Sequence, residues 1–217
     1  MRIGFFGDSF CMEFENIHSI EYGYDTYLTM IKDYYSAEIV NLGEGGSSVW
    51  DVIINQFPSF IDNPPDICFF CWTDPNRIFH RTFRSLTEGS VLQLKEKDIT
   101  EDHQKQKDVF EAAKQYFLKL HDNEKSKIEA LAALHYFDDF VLEKISYKTK
   151  IVHMWSFEKY YNWKNGVEIS SPLIEFSRLE NEHPQDECAP NHLGDSAKNQ
   201  KVFQLIKDTI DAHHLLA

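Results

Sequence analysis

Basic residues are in short supply. The 217-residue chain sets 22 Lys and Arg against 35 Asp and Glu, a formal charge of −13 at pH 7. A surface that tracks phosphates needs the opposite balance, so neither nucleic acid nor an anionic membrane is an expected partner. No apolar run approaches the roughly 18 residues of a membrane span. No basic-then-apolar leader precedes the first strand, and a cytoplasmic protein is expected. Phosphate-cradling signatures are missing as well: there is neither a Gly-x-Gly-x-x-Gly fingerprint nor a P-loop lysine, and no cofactor is expected. Cysteine is scarce, at four residues. Cys68 and Cys71 form a C-x-x-C, but inside an apolar strand their side chains face opposite sides, which excludes a shared metal or disulfide. The histidines show no metal-ligand spacing with Cys, Asp or Glu, so no metal site is expected. His153 reads as a hydrogen-bonded core or edge residue.

What the chain has is apolar and aromatic content, 42% and 14%, enough for one full core in a single domain spanning residues 1–217. Arg2 to Phe6, Glu38 to Leu42, Ile67 to Trp72 and Ile151 to Trp155 read as short strands. Between them lie helical patterns over Gly23 to Tyr35 and from near Val49, with a last helix carrying Val202, Phe203, Ile206 and Ile210. Residues 100–147 carry two further patterns. One has Val109, Ala113, Phe117 and Leu120 on a face, the other Ile128, Leu131, Leu134, Phe137, Val141 and Ile145. A helical hairpin joined around Asp122-Asn123 is expected. The alternation predicts a parallel sheet with helices on both faces.

Chemistry gathers where strands end. The first strand runs into Gly7-Asp8-Ser9, a serine on a tight turn at the carboxyl edge, where open α/β sheets hold their ligands. After the second strand comes Asn41-Leu42-Gly43-Glu44-Gly45-Gly46, whose backbone N–H groups can approach a substrate oxygen closely. The third strand leads to Trp72-Thr73-Asp74-Pro75-Asn76-Arg77. Ahead of the last helix, Asn191-His192-Leu193-Gly194-Asp195 offers an imidazole on a loop. Read blandly, Gly-Asp-Ser is an ordinary turn in which Asp8 or Ser9 caps the next segment.

Taken in order, these segments resemble the blocks of the SGNH (GDSL-type) hydrolase family. The resemblance implies a flavodoxin-like three-layer α/β/α sandwich and hydrolysis of an acyl ester on a small or carbohydrate-linked substrate. It implies Ser9 as nucleophile and His192 as base, with Asp186 or Glu187 the nearest acids. The oxyanion donors it implies are the backbone N–H groups of Ser9 and Gly46 and the side chain of Thr73. Asp8, Trp72, Asp74 and Arg77 would border the substrate, Arg77 as an anion holder or as a structural ion pair, and Asp74 as a substrate contact or only as a support for its loop.

Two positions depart from the family pattern. Thr73 stands where an asparagine is usual, and Ala189 occupies the position three before His192 where an aspartate is usual. Other registers stay open: Asp186 to Asn191 aligned so that Ala189 replaces the base, or His183 as the base. Three readings follow. They are an active esterase or deacetylase, an inactive carbohydrate- or ligand-binding module of the same fold, and a flavodoxin-like phosphate binder. Glu44 and the overall acidity oppose the last.

Overall fold

The computed structural model describes residues 1–11, 25–81, 86–92, 107–177, 193 and 196–216. Five strands form one sheet: β1 (Arg2–Gly7), β2 (Glu38–Asn41), β3 (Ile67–Trp72), β4 (Lys150–Trp155) and β5 (Val167–Glu168). All pairings are parallel and the order is β2-β1-β3-β4-β5. This is the flavodoxin-like order, in which the direction of strand addition reverses between β1 and β3. In open α/β sheets such a reversal is where ligands are held, outside the carboxyl ends of the strands.

The sheet is buried on both faces because its strands are apolar at consecutive positions. Ile3, Phe5, Ile67, Phe69, Cys71, Val152 and Met154 face one way. They pack under α1 (Tyr27–Tyr35), which Thr26 caps, and under the carboxyl-terminal helix, α7 (Ser196–Ala212). Phe6, Cys68, Phe70, Trp72, Ile151 and Trp155 face the other way. They meet α2 (Val49–Asp51), which continues as a π-helical turn over Val52–Gln56, and α5 (Asn123–Tyr136), which continues as a π-helical stretch over Phe137–Leu142. The result is a three-layer α/β/α sandwich. Cys68 and Cys71 fall in different layers, as strand geometry requires, and both are buried free thiols.

Aromatic rings dominate the second layer. Phe70 stacks on Phe6 at 5.4 Å and on Trp72 at 5.6 Å, with Phe137 edge-on at 5.3 Å. Offset stacks and T-shaped contacts of this kind each add about 0.5–1.5 kcal/mol beyond the area they bury.

The hairpin is present, with α4 (Lys107–Lys119) leading to α5. Asp122 caps α5 by accepting a hydrogen bond from the Lys125 N–H at 2.8 Å. Its two helices are not equals. Ala130, Ala133, Leu134 and Phe137 root α5 in the main core, whereas Ala113 and Phe117 of α4 share a separate cluster with Leu86 and with Val91 of α3 (Glu88–Leu92). Two residues expected on the apolar faces are instead exposed, Leu120 at 71% and Ile128 at 64%. Leu120 lies past the end of α4. Ile128 sits two three-residue steps before Leu134, about 120° around the helix from the buried face. β5, only two residues long, and α6 (Leu173–Ser177) carried no legible pattern. Among the described residues, no helix is long and apolar enough to cross a membrane.

Candidate active site at the carboxyl edge

Gly7 ends β1 with φ +155°, and a Cβ there would lie 2.5 Å from the Cys71 carbonyl oxygen. Only glycine lets β1 and β3 run this close while the chain turns out of the sheet. The Gln56 amide clamps the same residue from α2. Its Oε1 accepts from Gly7 N–H at 2.7 Å, and its Nε2 donates to the Gly7 carbonyl at 2.9 Å and to Ser47 Oγ at 3.1 Å.

Asp8 then turns inward, wholly buried. Four donors satisfy its carboxylate. Oδ1 accepts from the Phe10 N–H at 3.0 Å and from Ser156 Oγ at 2.7 Å; Oδ2 accepts from Thr73 Oγ1 at 2.9 Å and pairs with Arg77 Nη2 at 3.1 Å. Burying a carboxylate is costly unless such partners replace its water, and here they do. The Cys11 N–H donates to the Asp8 carbonyl at 3.0 Å and closes a turn with Ser9 at its second position. Ser9 is partly exposed, and no described residue hydrogen-bonds its hydroxyl.

The loop after β2 is fastened to this turn. Glu44 N–H donates to the Gly7 carbonyl at 3.1 Å, and Ser47 N–H donates to the Glu44 carbonyl at 3.1 Å. Gly46 occupies the third position of that second turn with φ +77°, in the left-handed region that glycine adopts without strain. No described backbone group takes the N–H of Ser9 or of Gly46. Both N–H groups therefore lack a described backbone partner and lie in turns that follow neighbouring strands. Ser48, next in sequence, caps α2 in a reciprocal box with Asp51.

Several expectations change. Asp8 does not face a substrate, because all its acceptor capacity is turned into the protein. Trp72 does not border the pocket either. It is buried in the helix layer, stacked 4.9 Å from Trp163, and its Nε1 donates to His153 Nδ1 at 3.0 Å. Thr73 cannot supply an oxyanion donor from its side chain, since its single hydroxyl proton goes to Asp8. Arg77 is an internal ion pair rather than an open anion holder: its side chain is 10% exposed, its Nη1 donates to the Ser47 carbonyl at 3.0 Å, and its guanidinium lies over Phe157 at 5.6 Å. Asp74 organises its own loop by accepting from Asn76 N–H at 2.8 Å. His192, Asp186, Glu187, Ala189 and His183 lie outside the described residues.

Two clefts flank the Asp74–Arg77 loop. One, of about 540 Å³, is mostly apolar and includes Trp50, Ile54, Phe79 and Tyr116; the other, of about 580 Å³, includes Asp74, Lys127, Phe157, Tyr160 and Glu175. Both are partly walled by the helical hairpin, and Ser9 lines neither.

Gln56 and Ser156 are structural members of the site that sequence reasoning missed. The signal for each was faint: a polar residue facing inward on an amphipathic turn, and a small polar residue directly after an apolar strand.

His153, expected in the core or at an edge, is fully buried with fixed roles. Trp72 Nε1 can only donate, so His153 Nδ1 accepts, and Nε2–H donates to the Asn165 carbonyl at 2.8 Å. The imidazole lies flat on Trp163 at 3.8 Å. Burial lowers its pKa from 6.5 to about 3.

No protein-family model matches the chain. No curated protein matches it in sequence. Among solved structures, a lipase/acylhydrolase from Enterococcus faecalis is similar at 12% identity and a TM-score of 0.31, covering 98% of this chain and 72% of the other. A phospholipase A1 from Streptomyces albidoflavus is similar at 10% identity and a TM-score of 0.31, covering 97% of this chain and 73% of the other. Likeness this slight adds no weight to what the chain's own geometry says.

Proposed function

We propose that the chain is a serine hydrolase of the SGNH type, an esterase or deacetylase acting on an acyl ester of a small or carbohydrate-linked alcohol. The observation that carries the reading is the placement of Ser9. Its hydroxyl stands unengaged by described residues on a turn held by a fully bonded buried carboxylate, at the point where the strand order reverses.

In this reading Ser9 Oγ attacks the acyl carbonyl carbon while His192 takes the hydroxyl proton. The N–H groups of Ser9 and Gly46 hold the oxygen that becomes negative. As the intermediate collapses, the alcohol leaves with the proton from His192. Water, deprotonated by the same imidazole, then adds to the acyl carbon; the bond to Ser9 Oγ breaks, Oγ takes the proton back from His192, and the acyl group leaves as a carboxylic acid. Asp186 or Glu187 would orient the base.

A fluorophosphonate probe tests this directly. Labelling confined to Ser9 and abolished by Ser9→Ala is expected; a folded protein that stays unlabelled while a control esterase reacts defeats the reading. Removing one oxyanion donor typically lowers kcat about 10²–10³-fold.

The commitment of the Thr73 hydroxyl to Asp8 favours a second reading, a ligand-binding module without turnover. That reading predicts saturable binding of a sugar or acyl ligand that survives Ser9→Ala.

A further inference from the structure

Arg77 belongs to the loop after β3, yet neither described polar partner of its side chain does. One nitrogen meets the Asp8 carboxylate, at the end of β1, and the other meets the Ser47 carbonyl, in the loop after β2. We propose that Arg77 is a positioning residue that locks the nucleophile turn and the oxyanion loop into one register. The proposal rests on the hydrolase reading for its catalytic meaning.

The geometry is specific to a guanidinium. Its nitrogens are coplanar and fixed in separation, so contacts at 3.1 and 3.0 Å set the distance between the two acceptors they join. The acceptors sit one residue from the reacting groups, since Asp8 precedes Ser9 and Ser47 follows Gly46. The cation's face is occupied by Phe157, which meets Phe10 edge-on at 6.0 Å, so the guanidinium also braces the far side of the nucleophile turn. Two further ties join the same loops: Gln56 bridges Gly7 and Ser47, and the Glu44 N–H reaches the Gly7 carbonyl. Both grip Gly7 on the strand side. Arg77 alone among these ties grips Asp8, whose backbone leads directly into Ser9. Without it, the turn keeps its anchor at the strand but loses the one that sets its position relative to Gly46.

The test uses the full chain with Arg77→Ala and Arg77→Lys. It reads the rate of fluorophosphonate labelling at Ser9, the backbone amide resonances of Ser9 and Gly46, and the response of both to guanidinium ion added well below denaturing concentrations. A displacement of about 1 Å at a reacting group costs on the order of 10²-fold, and a loss of that size is expected for Arg77→Ala at equal folded fraction. The Ser9 and Gly46 amides should shift together, and guanidinium should restore both the rate and the resonances. Arg77→Lys should recover only part of the rate, because an ammonium is a single point of charge and lacks the rigid planar fork that fixes the separation of the two acceptors. If Arg77→Ala fails to fold, Arg77→Lys carries the same comparison of rate and resonances. Wild-type labelling rates in the variants, or amide shifts confined to the Asp74–Arg77 loop, overturn the proposal. If wild-type protein resists the probe, the hydrolase reading fails by itself. The paired amide shifts then still decide whether Arg77 joins the two loops.

Discussion

Of the three completely buried aspartates among the described residues, Asp8, Asp51 and Asp138, the first and last are each met by several donors from beyond their own turn, yet they hold different things together. Asp8 draws on a cation and on hydroxyls from the ends of β3 and β4, residues 65 and 148 positions away. Asp138, on the π-helical stretch after α5, draws on neutral groups from one short segment. These are the Tyr161 hydroxyl at 3.1 Å, the Lys164 N–H at 2.8 Å, the Asn165 N–H at 3.2 Å and the Asn165 side-chain amide at 2.9 Å. The first carboxylate gathers separate loops at the sheet's carboxyl edge. The second folds one loop onto one helix. A charge-paired hub with distant partners governs a site's geometry, and a hub with local neutral partners governs local stability.

The largest expected effect comes from removing the first hub. Asp8→Ala leaves Arg77 buried without its counter-charge and should cost about 3–5 kcal/mol in urea unfolding. It should also abolish labelling at Ser9. Adding Arg77→Leu should return part of the lost stability and none of the labelling, since the unpaired charge is gone but the turn is still unheld. Recovery of labelling in the double variant would break the distinction.

Asp138→Ala is expected to be milder. It strands neutral donors, at roughly 1–3 kcal/mol for a buried group left unsatisfied. Below its unfolding transition the variant should label at Ser9 at the wild-type rate. A labelling defect as deep as that of Asp8→Ala would show that the Asp138 loop also shapes the site.

Acid should sharpen the contrast further. His153 donates to the Asn165 carbonyl, so it belongs to the Asp138 region. Its folded-state pKa is lowered to about 3 from 6.5, and the unfolded chain therefore binds the extra proton between those values. Stability from this group is complete above about pH 6.5 and falls as pH drops towards 3, with a limiting slope of about 1.4 kcal/mol per pH unit. His153→Asn, which keeps an acceptor for Trp72 Nε1, should flatten the pH dependence of the urea midpoint by about one proton in that window. An unchanged slope would remove His153 from the account.

The smallest effect is expected at Lys164. Its ammonium meets Asp139 at 2.6 Å but is well exposed, so water and salt screen the pair. Lys164→Ala should leave the urea midpoint where it was, because the Asp138 hub uses the Lys164 backbone and not its side chain.

Much of this molecule is legible in one dimension. β1, β3 and β4 announce themselves as short runs of consecutive apolar residues, because a parallel sheet covered on both faces has no polar side to alternate with. The hairpin joint is visible at Asp122, a capping residue between two apolar patterns. Gly7 marks the end of β1 because a side chain there would collide with β3. The site was legible in part. Its segments could be named as the turns that follow strands, and Ser9 and Gly46 could be picked as residues of those turns. The duties of Asp8, Trp72 and Thr73 were misjudged, and the two duties open to Arg77 were left undecided, for one reason: a polar or aromatic residue beside a nucleophile can face the substrate or the core, and the sequence does not say which.

By itself, then, the order of residues determined which stretches become strands and helices, and that a serine, a glycine loop and a polar turn all fall at strand ends. Local periodicity and backbone sterics are enough for that. Only the tertiary structure decided that Asp8 looks inward and Ser9 does not. A carboxylate can be buried only when donors replace its water, and its donors come together only after β1, β3 and β4 lie side by side.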